Sequence, residues 1–427
     1  MNAKTSVWFL IVLSVLAASA PCSGPADDGT AAAWPQWRGP DRDANVRGPA
    51  WPETLSAETL KPIWRVELGP SYSGPIVSDG VVFTTSTDEQ KWEVVRAFDA
   101  GTGTKRWETR WEGSMQVPFF AASNGNWIRA TPAFSEGRLY VAGMRDVLAC
   151  LDARSGQEIW KLDFPTMHKS PLPAFGFASS PLVLDEHVYV QAGAALTKVH
   201  KATGEIVWQS LKDDGGMWGS AFSSPYFTQL GGRDQLIVQT RTRLAGVAPD
   251  DGRELWSQEI PAFRGMNILT PTVFEDAVFT SSYGGKSLLL GVELQNGGFA
   301  VREAWNHRAQ GYMSTPVIIA GHAYLHLRNQ RFTCLDLKTG KECWTTKPYG
   351  KYWSLVAQGE RILALDERGD LLLIQANPQE FRLIDSRHIS DAPTWGHLAV
   401  CGDMLYVREL NALAAYQWKA SPSPNDR

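Results

Sequence analysis

The chain has 427 residues, with 41 Lys and Arg against 45 Asp and Glu, so its formal net charge is −4. That balance argues against bulk electrostatic capture of nucleic acid. Eighteen Trp, 38 Gly and 25 Pro, with almost no sustained helical period, argue against a mainly helical protein and for many tight turns between short strands.

Residues 1–20 carry Lys4, an apolar run from Val7 to Ala18, and the small residues Ala17 to Ala20, the pattern of an export signal that is too short to span a bilayer. Residues 21–33 read as a flexible tether, with Gly24, Pro25 and Gly29. Cys22 at its start is a candidate lipid anchor. A leader segment follows at 34–61, opening with Trp34-Pro35-Gln36-Trp37-Arg38-Gly39-Pro40-Asp41-Arg42-Asp43. An isolated strand, Pro62 to Val66, comes next, and a disordered tail is expected at 419–427.

Between the isolated strand and the tail one phrase recurs. Six units open with Pro ahead of an apolar run, as in Gly74-Pro75-Ile76-Val77, Thr131-Pro132 and Ser180-Pro181, and two more, at Leu355 and Leu398, lack the Pro. Each unit then shows an acidic or Gly turn, an alternating strand and a third strand, and six of them continue with an Asp-x-x-Thr/Ser-Gly-like turn and a Trp on the fourth strand. The Trp residues are Trp107, Trp160, Trp208, Trp256, Trp305 and Trp344. Four antiparallel strands per unit, repeated eight times over 62–418, predict an all-β, eight-bladed propeller. The last unit supplies only three strands, so the N-terminal strand around Trp64 is expected to close the ring and remove an exposed sheet edge. One Trp per blade beside a Gly turn is assigned to packing between blades.

These phrases resemble the tryptophan-docking repeats of pyrroloquinoline-quinone (PQQ)-like propellers, a group that includes quinoprotein alcohol dehydrogenases and the outer-membrane protein assembly factor B lipoproteins. The resemblance covers Trp34 to Trp418. It implies the propeller fold, and in the dehydrogenase branch it implies a quinone held against a disulfide of adjacent cysteines, with calcium and an Asp base. No two cysteines are adjacent here and no CxxCH haem motif occurs, so no catalytic residue carries over.

Loops leading into each blade and hairpins joining second to third strands share one face. On that face basic and aromatic residues gather, while Asp79, Glu136, Asp185, Glu186, Glu275, Asp276 and Asp403 fall in turns on the other. The expected ligand-binding face comprises Arg129, Arg145, Arg241, Arg243, Arg328, Arg368 and Arg408 with Tyr72, Trp127, Phe177, Trp218, Phe222, Tyr312, Trp353 and Trp395. Gly284-Gly285-Lys286-Ser287 lacks the first Gly and the strand-to-helix setting of a P-loop, and His322 with His326 lacks a third ligand, so no metal site is expected. Cys334 and Cys343 flank one hairpin and admit a cross-strand disulfide.

The reading is a non-catalytic exported propeller, monomeric, periplasmic or outer-membrane-associated. It would act as a binding or assembly scaffold for an envelope protein or small acidic ligand, with no cofactor. The alternative is a PQQ-binding oxidoreductase of reduced form, using PQQ with calcium.

Overall fold

In a computed structural model, residues 33–213 and 221–418 are described. Among them thirty-two strands form eight four-stranded antiparallel sheets. Cys22, the export signal, the tail and Trp218 lie outside the described residues. Seven sheets are built in chain order. Blade 1 consists of Ile76–Ser78, Val81–Asp88, Trp92–Asp99 and Lys105–Glu112. Blades 2 to 7 occupy 133–163, 182–210, 226–259, 272–307, 317–348 and 353–388.

Blade 8 combines Ala399–Cys401, Met404–Glu409 and Ala412–Trp418 with the N-terminal strand Leu60–Glu67, paired antiparallel as Leu60 with Trp418 through Glu67 with Ala412. The expected closure is present, so the fourth strand of the last blade comes from the start of the ring.

Turn chemistry sets the hairpins. Asp79-Gly80, Glu136-Gly137 and Ala320-Gly321 all place two consecutive residues at positive φ, the backbone of the type I′ turn that matches strand twist. Blade 7 has no Trp on its fourth strand, Arg382–His388; in the others the Trp reaches the next blade, with one exception. Trp107 Nε1 donates to Ala153 O at 2.9 Å, Trp160 Nε1 to Lys201 O at 3.1 Å, Trp305 Nε1 to Leu337 O at 2.7 Å, and Trp344 Nε1 to Asn377 O at 2.8 Å. Trp64 of the closing strand does the same to Ala100 O at 2.9 Å.

The motif glycine lies flat on that indole: a Cβ on Gly156 would stand 2.5 Å from Trp107, and one on Gly340 would stand 2.6 Å from Trp305. Glycine is required there both for its positive φ and for this approach. Trp256 is the exception. Its Nε1 donates to Gln235 of its own blade at 2.7 Å, and the corresponding Gly297 of blade 5 has nothing near it.

The leader crosses the lower face. Trp34 exchanges backbone hydrogen bonds with Val77 of blade 1, Pro35 O accepts from Phe134 N of blade 2, and Val46 N donates to Ala357 O of blade 7. Arg38 donates Nη1 to Thr315 O at 2.9 Å and Nη2 to Pro316 O at 2.7 Å in blade 6. Arg42 donates Nη1 to Pro181 O at 2.7 Å and Nη2 to Ser180 O at 3.2 Å in blade 3. Both guanidiniums are buried, and desolvation lowers their pKa to about 10 and about 9. Five blades are thereby tied to one segment running across the axis.

The four described cysteines are free thiols, so the cross-strand disulfide admitted by the sequence is not formed. Cys343 is the extra residue of a bulge, because Cys334 pairs with Trp344 and Leu335 with Glu342. Among the described residues no helix is long and apolar enough to cross a membrane.

Candidate functional site

Around the axis every blade contributes two side-chain positions two residues apart. The lower ring is the strand-opening position: Gly74, Thr131, Ser180, Ser224, Thr270, Thr315, Ser354 and His397. Its hydroxyls knit neighbouring blades together. Gly74 N donates to Thr131 Oγ1 at 3.1 Å, Thr131 N to Ser180 Oγ at 3.0 Å, Ser180 N to Ser224 Oγ at 2.9 Å, Ser224 N to Thr270 Oγ1 at 3.0 Å, and Thr270 N to Thr315 Oγ1 at 3.2 Å. This is why Ser or Thr precedes the Pro: each hydroxyl satisfies a buried amide of the blade before it.

The upper ring, two residues earlier in each blade, is Tyr72, Arg129, Ala178, Phe222, Ile268, Met313, Tyr352 and Trp395. The two rings and Trp37 of the leader enclose an axial cavity of about 190 Å³. Trp37 packs edge-on against His397 with ring centroids 5.9 Å apart. Burial holds His397 neutral, at about 3, with its Nδ1 against Leu398 O at 3.0 Å.

Of the expected face, Tyr72, Arg129, Phe222 and Trp395 do line this cavity, whereas Trp353, between the bore-facing Tyr352 and Ser354, turns its indole into the core against His326 and Phe332. The others go elsewhere. Phe177 is buried in the core between blades 2 and 3, and Trp127 packs against Gly125. Arg408 does not reach the surface: its guanidinium donates to the carbonyls of Glu409, Leu410, Ala412, Gly69 and Thr85, bracing blade 8 against blade 1, and burial lowers its pKa to about 9. Three further arginines are neutralised by carboxylates: Arg241 by Asp213, Arg243 by Glu254 at 3.0 Å, and Arg368 by Asp366 at 2.9 Å. Arg145 is exposed and Arg328 lies over the Tyr283 ring at 4.5 Å, neither with a carboxylate partner among the described residues.

Tyr312 joins an aromatic arc that follows the rim. Tyr283 and Tyr312 are 5.0 Å apart, Tyr312 and Tyr352 5.9 Å, Tyr352 and Trp395 4.3 Å, and Trp395 stacks on Tyr72 at 4.5 Å. On the far side Phe120, Phe175 and Phe222 continue the circle, and Arg264 bridges Phe120 and Phe263. Sequence reasoning missed Tyr352, Met313, Trp37 and Tyr283. Counting two residues back from each strand-opening position would have found the first two.

Among the eleven large hydrophobics exposed in the described residues, six sit on loops leading into blades: Phe119, Phe120, Met167, Leu172, Phe263 and Met313. Phe119 is 91% exposed. More than half of these exposed apolar side chains are therefore on the blade-entry loops.

The family described as outer membrane protein assembly factor BamB matches residues 53–124 and 91–346. The assembly factor BamB of Yersinia pestis is 24% identical over 261 residues, 59% of this chain and 61% of that protein, so the chain spans about three-fifths of its relative's length. Two solved structures share the fold. BamB from Moraxella catarrhalis gives a TM-score of 0.61 at 15% identity, covering 85% of this chain and 99% of that one. A europium-containing methanol dehydrogenase gives 0.65 at 12% identity, covering 90% and 98%.

Proposed function

The chain belongs to the outer membrane protein assembly factor BamB family, and on that footing we propose that it is a non-catalytic scaffold of the bacterial envelope that holds a partner protein during outer-membrane protein assembly. The observation that carries this reading is the upper face. Six exposed apolar side chains ring a mouth where Arg145 and Arg328 are among the cations without a carboxylate partner in the described residues, a composition suited to an acidic segment with apolar anchors. The opposite face is covered by the leader and by the acidic turns. The periplasmic setting rests on the residues 1–20 pattern and on the family.

The test is co-purification from an envelope fraction. Wild-type chain should retain the outer-membrane insertion machinery, identified by mass spectrometry. Phe119→Ser with Phe263→Ser should lose it while circular dichroism stays unchanged. Equal capture by the double variant, or no insertion machinery in the wild-type eluate, counts against the reading.

A PQQ oxidoreductase fits the residues poorly. The cavity is lined by one formal cation and no Asp, Glu, Asn or Gln, so it offers neither calcium ligands nor a carboxylate base. Among the described residues no group of three or more His, Cys, Asp or Glu could hold a metal. Titration with PQQ and calcium, followed by dye-linked alcohol oxidation, should give no turnover; turnover would reinstate that reading.

A further inference from the structure

The axial cavity has a chemistry that partner docking at the rim does not use. Of its eight upper-ring side chains only Arg129 is charged, and the lining holds no acid to balance it. Arg129 donates Nε to Trp127 O at 3.2 Å and Nη2 to Gly125 O at 3.1 Å, while Nη1 has no partner among the described residues. Among the described residues it has no ion-pair partner, and the Tyr72 ring lies 5.9 Å from its Cζ. Desolvation pulls its pKa down to about 10, which registers the cost of keeping this cation in an apolar enclosure. A guanidinium with no counter-charge and one edge open to the cavity is stabilised by an anion that brings oxygen acceptors to that edge.

The walls limit what the rest of the ligand can be. Tyr72 and Trp395 stack with 17° between their planes and face Phe222 across the cavity, leaving apolar surface for a flat body. The volume, about 190 Å³, is below the roughly 300–1,000 Å³ typical of pockets for drug-sized molecules. A single guanidinium, with no lysine or second arginine in the lining, matches one negative charge better than a phosphate dianion.

We propose that the axial cavity binds a small monocarboxylate with a flat aromatic body, its carboxylate on Arg129 and its ring against Tyr72 and Trp395. The competing account is that Arg129 only props the loop at residues 125–127. On that account the cavity binds no carboxylate in preference to its amide.

Calorimetry on the full chain with indole-3-carboxylate and its neutral isostere indole-3-carboxamide distinguishes the two. The carboxylate should saturate and bind at least about tenfold tighter than the amide, given the strength of charge-assisted hydrogen bonds. Arg129→Met should weaken the carboxylate about tenfold to hundredfold and leave the amide unchanged. Ala178→Leu, which narrows the cavity beside Arg129 and keeps the guanidinium, should abolish carboxylate binding and covers the case in which Arg129→Met fails to fold. Absence of saturable binding at millimolar carboxylate, equal affinity for acid and amide, or wild-type binding by Ala178→Leu would overturn the proposal. None of these variants alters Phe119 or Phe263, so a failure here leaves the docking surface standing, and loss of partner capture leaves the cavity standing.

Discussion

Gly340→Ala separates backbone strain from packing at the joint between blades. Gly340 has φ +72°, and a Cβ there would lie 2.6 Å from both Cγ and Cδ2 of Trp305. The indole cannot retreat freely, since its Nε1 is held on Leu337 O at 2.7 Å and its ring packs on Phe279 at 6.0 Å. Gly297 is the matched control. It occupies the third-to-fourth-strand turn of the neighbouring blade, a shorter Asn296-Gly297 hairpin, at φ +82°, and a Cβ there meets nothing within 4 Å. Both substitutions incur about 1 kcal/mol for placing alanine in the left-handed region. Only Gly340→Ala adds overpacking, about 1–3 kcal/mol. The expected losses are about 2–4 kcal/mol for Gly340→Ala and about 1 kcal/mol for Gly297→Ala. Urea midpoints at equal slope, followed by far-ultraviolet circular dichroism, read the difference. In a Trp305→Ala background the Gly340→Ala loss should fall to the Gly297→Ala value, the signature of a coupled pair. Equal losses for the two glycines in the wild-type background would refute the packing account.

Three further outcomes follow from the same geometry. Thr270→Val removes the acceptor for Ser224 N and should cost about 1–3 kcal/mol, whereas Thr272→Val removes a buried hydroxyl that has no partner and should be neutral or stabilising; thermal melts of the pair check this. Arg38→Met leaves the Thr315 and Pro316 carbonyls without these donors and should cost about 1–3 kcal/mol, with faster proteolysis of the leader as the readout. Glu93, whose carboxylate accepts from Trp111 Nε1 at 2.7 Å and Met144 N at 2.5 Å, is pushed up to about 7, chiefly by burial. An acid whose folded pKa exceeds its unfolded value favours folding while protonated. Its contribution is therefore present in full below the ordinary carboxylate value near 4.5 and is lost as pH rises towards about 7. Glu93→Gln should flatten that part of the stability profile, and an unchanged slope would remove Glu93 as its source.

The architecture was legible because it is written in local chemistry repeated eight times. Each I′ turn, each alternating strand and each Gly-to-Trp phrase is encoded within about a dozen residues, and a three-stranded last unit with an orphan first strand leaves ring closure as the way to cover the edge. The site was legible only in part. Successive residues of an extended segment point in opposite directions, so an offset of one residue exchanges a cavity wall for a core position. Phe177, Tyr312 and Trp353 are the sequence-based expectation where Ala178, Met313 and Tyr352 line the bore. Charge was harder still. Whether an arginine is available depends on what stands beside it in space: Arg241 meets Asp213, Arg368 meets Asp366, and Arg408 is enclosed by carbonyls of two blades. Sequence by itself determined the ring, its blade number and its inter-blade tryptophans, because those depend on neighbours along the chain. Tertiary structure alone decided which side chains converge on the axis, which cations stay uncompensated and how the leader seals the lower mouth, because these are properties of residues dozens of positions apart brought round one centre.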